Sequence, residues 1–148
     1  MRIAYLTGEY PRATDTFIQR EVAAIRQQGV KVETFSVRPT GEEHMVGEEQ
    51  KQERNQTFYI LPPSPIKLLR AHLNLLLASP KRYLAGLKLA WSTRLHGLQG
   101  NVYQLFYFLE AGILAQEIRR RRIPHLHNHF GDSSCSVAML AAELGDFS

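Results

Sequence analysis

Residues 8–16 hold the first groups in the chain that could bind a ligand. They follow a short apolar run at residues 3–6 and lead into an amphipathic segment that begins near Asp15. In open α/β sheets, a strand that ends at a Gly/Pro turn and feeds a helix N-terminus builds a ligand crevice. The start of such a helix offers unpaired N–H groups and the positive end of its dipole, which favour an anion. The pattern therefore predicts a turn that binds a nucleotide or a phosphate.

Six residues of this turn are candidate substrate-binding residues. A glycine lets the backbone approach a ligand closely, and hydroxyl and N–H groups at a helix start could reach a sugar or a diphosphate. The competing interpretation is structural, with Thr14 or Asp15 capping the helix and the proline shaping the turn. The glutamate is either solvated or bonded to a sugar hydroxyl. The candidates are Gly8, Glu9, Pro11, Thr14, Asp15 and Thr16.

Three histidines alternate along a later apolar segment, so they could project from one face of a strand. A metal site with Asp132 as a fourth ligand is one interpretation. The two-residue spacing within one strand does not surround an ion, so no metal is predicted. We expect the strand's carboxyl end to face the crevice instead, although a buried core histidine is the alternative for the middle one. The candidate substrate-binding residues are His127, His129, Phe130 and Gly131, with His125 the weakest of the histidines.

The elements that position these groups alternate between strand and helix. Strands are predicted at residues 2–6, 31–37, 57–61 and 125–130, and helices at 15–28, 65–78, 81–95, 101–121 and 134–144. Gly29 is predicted to follow the C-terminus of the first helix, and residues 41–56 to form a mobile surface loop. This alternation predicts an α/β, Rossmann-like three-layer domain with a parallel sheet in the order 3-2-1-4. In the long helix, capped by Asn101, the stripe facing the core is predicted to be Val102, Leu105, Phe106, Leu109, Ile113, Leu114 and Ile118.

The composition bounds the class of protein and its partners. The 148 residues, 44% hydrophobic and 22% charged, suit one globular domain. The net charge is +4, and no Asp or Glu occurs between Arg54 and Leu109, which indicates an anionic partner. The four arginines at residues 119–122 are explained as cations at a helix C-terminus, so no nucleic acid is expected.

The cellular location is also predicted from the sequence. The chain has a single cysteine and shows neither a signal peptide nor a membrane span, which predicts a cytoplasmic location.

Two basic, apolar helices lie within the segment that lacks acids. They carry more leucines than one buried face needs, which favours a surface that rests on anionic lipid. The alternative is that both helices only cover the sheet. The predicted membrane-facing residues are Lys67, Arg70, Lys81, Arg82, Lys88 and Trp91.

Two segments of the chain resemble the N-terminal half of a family-4 glycosyltransferase of GT-B fold, of the exopolysaccharide or colanic-acid type. The segments are IAYLTGEYPRATDTFIQREVAAIRQQGVKVETFSVRP and PHLHNHFGDSSCSVAMLAAELGDFS. The pairing of a Pro-x-x-[Thr/Ser]-[Asp/Glu]-Thr-Phe turn with a later His-x-His-Phe strand carries the resemblance. It implies that residues 1–148 are the acceptor-side Rossmann-like domain and that the C-terminal donor-binding domain is absent from the chain.

The resemblance also implies an activity. The whole enzyme would be a hexosyltransferase that retains the anomeric configuration and needs no metal or cofactor. It would move a sugar from a nucleotide-sugar co-substrate to a glycan or lipid-linked acceptor in cell-surface polysaccharide synthesis. It would act at the inner face of the plasma membrane as a peripheral protein.

The end of the chain bears on this activity. The family's active-site histidine would lie past Ser148, so the catalytic residues within the chain are unknown and the isolated chain is predicted to be inactive. The chain stops before the expected fifth strand and looks truncated, which predicts self-association through an open sheet edge. The alternative function is a non-catalytic nucleotide- or glycan-binding Rossmann-like module or a docking subunit. A basic nucleic-acid binder is the weaker rival.

Overall fold

The first strand, helix and second strand form the predicted βαβ unit. In a computed structural model that describes all residues 1–148, β1 spans Arg2–Glu9, α1 spans Thr16–Gln27 and β2 spans Lys31–Arg38. The two strands are parallel. Gly29, with a φ of +82°, turns the chain out of α1 within a few residues of β2, as predicted.

The remaining elements extend this unit in both directions. The sheet order is β3-β2-β1-β4 and every pair is parallel, which confirms the predicted order and the α/β, Rossmann-like three-layer fold. Helices flank both faces of the sheet. In chain order the further elements are α2 (Glu48–Gln56), β3 (Phe58–Tyr59), α3 (Pro65–Ala78), α4 (Pro80–Thr93), α5 (Leu98–Arg121), β4 (His125–Asn128) and α6 (Ser133–Gly145).

The two faces of β1 point into different cores, because successive side chains of a strand alternate. Ala4 and Leu6 belong to a cluster of 19 buried residues beneath α3, α5 and α6, against which α4 also packs. Ile3 and Tyr5 belong to a cluster of six buried residues that includes Ile18 of α1. None of the helices is both long enough and apolar enough to span a membrane.

The prediction of a loop over residues 41–56 is wrong, because this segment contains a 3₁₀ turn at Glu42–His44 and the helix α2. No residue of α2 is buried, so the helix carries no apolar period that the sequence could reveal. Polar contacts hold it instead. Glu53 pairs with Arg26 of α1 and accepts a hydrogen bond from the Tyr10 hydroxyl at 3.2 Å. The backbone N–H of Ala13 donates to His44 at 3.3 Å.

The predicted core stripe of α5 is correct only in its second half. Ile113 and Ile118 are buried, but Val102, Leu105 and Phe106 are 43%, 57% and 54% exposed. The N-cap is Gly97, four residues before the predicted cap at Asn101, and the helix begins at Leu98. In the early turns of α5 the buried residues are Gln104 and Phe108. These turns pack against α4 and not against the sheet, so a different side of the helix is covered.

The outer edge of β4 is paired by the last residue of the chain. The Ser148 N–H donates to Pro124 O at 3.3 Å, and the Leu126 N–H donates to Ser148 O at 2.6 Å. These two bonds have the pattern of a parallel ladder beside His125. The His125 Nδ1 also lies 3.1 Å from the Ser148 hydroxyl.

Candidate ligand-binding crevice

A small polar crevice opens at the carboxyl ends of β1 and β2, beside the start of α6. It lies where the strand order reverses between β1 and β4, which is the position at which open α/β sheets bind ligands. Its volume is about 130 Å³, and its walls carry two acidic and two basic side chains. The lining residues are Gly8, Glu9, Arg12, Val37, Arg38, Asp132 and Ser133.

Gly8 places the predicted turn at residues 8–16 next to the start of α6. A Cβ atom built on Gly8 would lie 3.2 Å from Oδ2 of Asp132, which is tighter than an ordinary van der Waals contact. The backbone of β1 therefore approaches the start of α6 as closely as a glycine allows. The end of β1 thus lies beside the start of α6, immediately after the predicted segment 127–131.

Asp132 caps the N-terminus of α6, a role that was not predicted from the sequence. Its Oδ1 accepts a hydrogen bond from the Ser134 N–H at 2.8 Å and lies 2.6 Å from the Ser134 hydroxyl. That hydroxyl also lies 2.8 Å from Asn128 Oδ1. The negative charge of the carboxylate already compensates the positive end of the α6 dipole. This part of the crevice therefore favours a ligand with hydroxyl donors over a negatively charged phosphate.

Arg12 supplies an unsatisfied donor beside the crevice. Its Nε is buried and has no hydrogen-bond partner. The nearest carboxylates are those of Asp15 at 3.8 Å and Glu9 at 4.0 Å, both too long for a hydrogen bond. A buried donor without an acceptor is uncommon in folded proteins, and it belongs to a side chain that lines the crevice. Arg38, at the end of β2, is exposed and adds a second guanidinium.

The other candidates of the first turn lie around the start of α1. Pro11 is fully buried. Asp15 occupies the N-cap position, but its side chain makes no capping hydrogen bond, so the competing interpretation as a cap fails for this residue. The Thr14 hydroxyl donates to Asp15 at 3.2 Å, and Thr16 is exposed. The first N–H groups of α1 therefore keep no side-chain acceptor.

His127 and His129 lie in a second cluster on the α1 face of the sheet and do not line the crevice. Their rings are 4.6 Å apart between centroids, and both lie against the Tyr5 ring. Glu21 of α1 joins them, with Oε2 3.5 Å from His129 Nε2 and Oε1 accepting a 2.7 Å hydrogen bond from the Tyr5 hydroxyl. Phe17 packs edge-on against His129 and Phe130. The fourth candidate on this loop, Gly131, is exposed.

The environment of this cluster shifts two pKa values. Burial, then the hydrogen bond to Glu21 and its charge, raises the pKa of Tyr5 to about 12. Burial, followed by repulsion from His129, lowers the pKa of His127. Tyr5 is therefore a stable hydrogen-bond donor. Glu21 was missed by the sequence analysis, because nothing in α1 marks a residue that meets β4 more than a hundred positions later.

The predicted membrane-facing residues separate into three locations. Lys81, Lys88 and Trp91 are exposed on α4, and Arg94 lies over the Trp91 ring at 3.7 Å. Arg82 instead pairs with Asp146 at the end of α6. The other two, Lys67 and Arg70, line a cavity of about 390 Å³ between β3, α3 and α5.

Two of the four arginines at the end of α5 are engaged in ion pairs. Arg121 contacts Glu33 of β2 at 2.7 Å and Glu117 at 2.6 Å. Arg120 contacts Glu117 at 2.6 Å, and these bonds lower the pKa of Glu117. Two of the four arginines thus tie the helix end to itself and to the sheet.

Comparisons with protein-family models, curated proteins and solved structures gave no match for this chain.

Proposed function

We propose that this chain is the acceptor-side domain of a retaining glycosyltransferase of GT-B fold. The whole enzyme would transfer a sugar from a nucleotide sugar to a glycan or lipid-linked acceptor. The observation that carries the proposal is the close approach of Gly8 to Asp132. Through it, the two segments on which the resemblance depends meet at the switch point of the sheet, where they can form one wall of a cleft.

The chemistry of the crevice suits a ligand rich in hydroxyl groups. Carboxylates of Glu9 and Asp132 accept hydrogen bonds from sugar hydroxyls, and guanidinium groups of Arg12 and Arg38 donate to sugar oxygens. Fixed hydrogen bonds on both sides would orient an acceptor hydroxyl toward a donor held by another domain. The carboxylate at the start of α6 supports a neutral acceptor at this wall over the nucleotide diphosphate.

Nuclear magnetic resonance tests acceptor binding directly. Titrating neutral oligosaccharides into labelled protein should shift the amide signals of Gly8, Glu9 and Ser133. Glu9→Gln should weaken binding by about tenfold, the loss expected for one hydrogen bond to a charged group. The matched control is Glu49→Gln, an exposed acid on α2, which should leave binding unchanged. Shifts confined to other surfaces, or no response to any glycan, would reject the proposal.

A second assay tests the need for a donor domain. The 148-residue chain with a nucleotide sugar and acceptor glycans should release no nucleotide diphosphate above the uncatalysed rate. Sugar transfer by this chain alone would show that the crevice is a complete active site, contrary to the proposal.

The outward faces of α3 and α4 have the composition of a membrane-binding surface, which supports the proposal that the acceptor is lipid-linked. The inner faces of both helices are buried, at Leu75 and Ala90 for example. The apolar residues on the outward faces therefore do not contribute to the core. Leu69, Leu84 and Trp91 are 69%, 62% and 63% exposed, with lysines beside them. Apolar side chains flanked by cations are typical of a surface that binds anionic lipid.

Trp91 is the only tryptophan and therefore reports lipid binding by itself. Vesicles of phosphatidylcholine with phosphatidylglycerol should shift its emission to the blue, whereas pure phosphatidylcholine should have little effect. Replacing Lys81 and Lys88 with glutamine should weaken binding by about 1 kcal/mol for each charge. Lys51→Gln on α2 is the control and should change nothing. The same emission with and without anionic vesicles would argue against a membrane surface here.

A further inference from the structure

We infer that Glu21, His127 and His129 form a binding site for one divalent transition-metal ion, with Zn²⁺ the ion that fits best. The ligand atoms of the three side chains all lie within 4.8 Å of one another. Two imidazoles and one carboxylate are a donor set that zinc and other first-row metals accept. The inference does not depend on the proposed glycosyltransferase activity, because the cluster lies on the α1 face and outside the crevice.

One pair of ligand atoms already has the spacing of a tetrahedral site. Ligands that lie 2.0–2.1 Å from zinc in tetrahedral geometry are about 3.4 Å apart. His129 Nε2 and Glu21 Oε2 are already 3.5 Å apart, and His127 offers a ring nitrogen within 4.8 Å of the ligand atoms of both. The sequence predicted no metal because it offered ligands from one strand only. Glu21 approaches from a helix and supplies the missing second direction.

The surroundings leave the ligand atoms free and hold them in place. His129 is mostly buried, and its Nε2 has no hydrogen-bond partner within the protein. Glu21 uses Oε1 to accept from Tyr5 and keeps Oε2 directed at His129. Hydrogen bonds of this kind orient metal ligands and raise their affinity. Tyr5 is therefore a positioning residue for the site.

A metal ion here would join α1 to the edge strand β4. Three protein ligands leave one tetrahedral position for water or a ligand oxygen. Phe17 and Phe130 pack beside His129 and shield the site from one side. The ion would thereby stabilise the region of the sheet that has the smaller core.

Calorimetric titration of the tag-free full chain with Zn²⁺ tests the site. We expect one ion per chain with an affinity in the micromolar range or tighter. His127→Gln and His129→Gln should each lower the affinity by more than the 10–100-fold that loss of an outer-shell partner costs, and Tyr5→Phe by about tenfold. Zinc at 100 times its dissociation constant should raise the melting temperature by about 5–10 °C. Co²⁺ should give the visible absorption of a tetrahedral nitrogen–oxygen site.

Two variants serve as controls. His125 lies two residues earlier on the same strand but outside the cluster, so His125→Gln should bind zinc like the parent chain. Cys135 is exposed, and Cys135→Ser should also leave binding unchanged. Melting each variant in chelator separates lost binding from lost folding, and Tyr5→Phe keeps all three ligands if a histidine variant unfolds. No binding by the parent chain, unchanged affinity in both histidine variants, or an equal loss in either control would overturn the inference.

Discussion

The two faces of the sheet differ in how they are covered and in the chemistry they carry. The face beneath α3, α5 and α6 has a core of 19 buried residues, nearly all aliphatic. The face beneath α1 has six, two of which are tyrosines, and beside them lie Glu21 and two histidines. The thinly covered face thus carries a cluster of polar side chains that are only partly buried. A domain with one strong core can leave its other side for ligands.

The largest effect should come from removing equal side chains from the two cores. Ile118→Ala in the deep core should cost about 3–5 kcal/mol in free energy of unfolding, whereas Ile18→Ala on α1 should cost about 2–3 kcal/mol. Both isoleucines are almost completely buried, but the smaller cluster can close around the lost volume more easily. Urea unfolding followed by circular dichroism measures both. Equal losses would mean that the two faces contribute equally.

The next effect tests how tightly the deep core is packed. A Cβ atom on Gly112 of α5 would collide with the ring of His72 on α3. Gly112→Ala should therefore destabilise the protein by about 1–3 kcal/mol, although alanine normally favours a helix. In a His72→Ala background the same change should become neutral or stabilising. A destabilisation that persists in that background would place its cause elsewhere.

A smaller effect concerns the thinly covered face and the polar tethers of α2. Glu53→Gln should cost about 1–2 kcal/mol, because the carboxylate pairs with Arg26 in a partly exposed position and also accepts from Tyr10. Hydrogen exchange over residues 41–56 should rise more than exchange in β2. Glu49→Gln is the control on the same helix. Unchanged exchange in Glu53→Gln would show that other contacts hold α2.

The smallest effect is a pH dependence in the deep core. Burial lowers the pKa of His72 below its ordinary value of 6.5, while its Nδ1 lies 2.9 Å from the Tyr83 hydroxyl and its Nε2 lies 3.1 Å from Leu109 O. The unfolded chain then binds the proton more readily, so stability should fall as the pH drops below 6.5. Urea midpoints at several pH values should show a shallower fall in His72→Gln. The same slope in both proteins would exclude His72 as the cause.

The fold could be predicted from the sequence where the apolar periodicity and the turn residues indicated the same element boundaries. The run of β1, α1, Gly29 and β2 is local, so its short-range pattern determined it. The helix α2 was missed because its anchors, Glu53 and its partners, are polar and distant in the chain. The first turns of α5 were placed on the wrong face, because Leu105 and Phe106 are apolar without being needed by the core.

The candidate site was predictable in part for the same reason. Gly8 and Glu9 lie at a strand end that the sequence marks, and both line the crevice. The role of Asp132 had a signal, since an Asp-Ser-Ser sequence at a helix start is typical of an N-cap. Arg38 had none, because only the parallel register of β1 and β2 places it beside Glu9.

The bonds between Ser148 and the edge of β4 have a practical consequence. A purification tag or a fluorescent reporter attached to Ser148 would begin at the outer edge of β4, next to His125. It could disturb the two hydrogen bonds that Ser148 makes to this edge. Probes are better attached at Met1, which is 85% exposed.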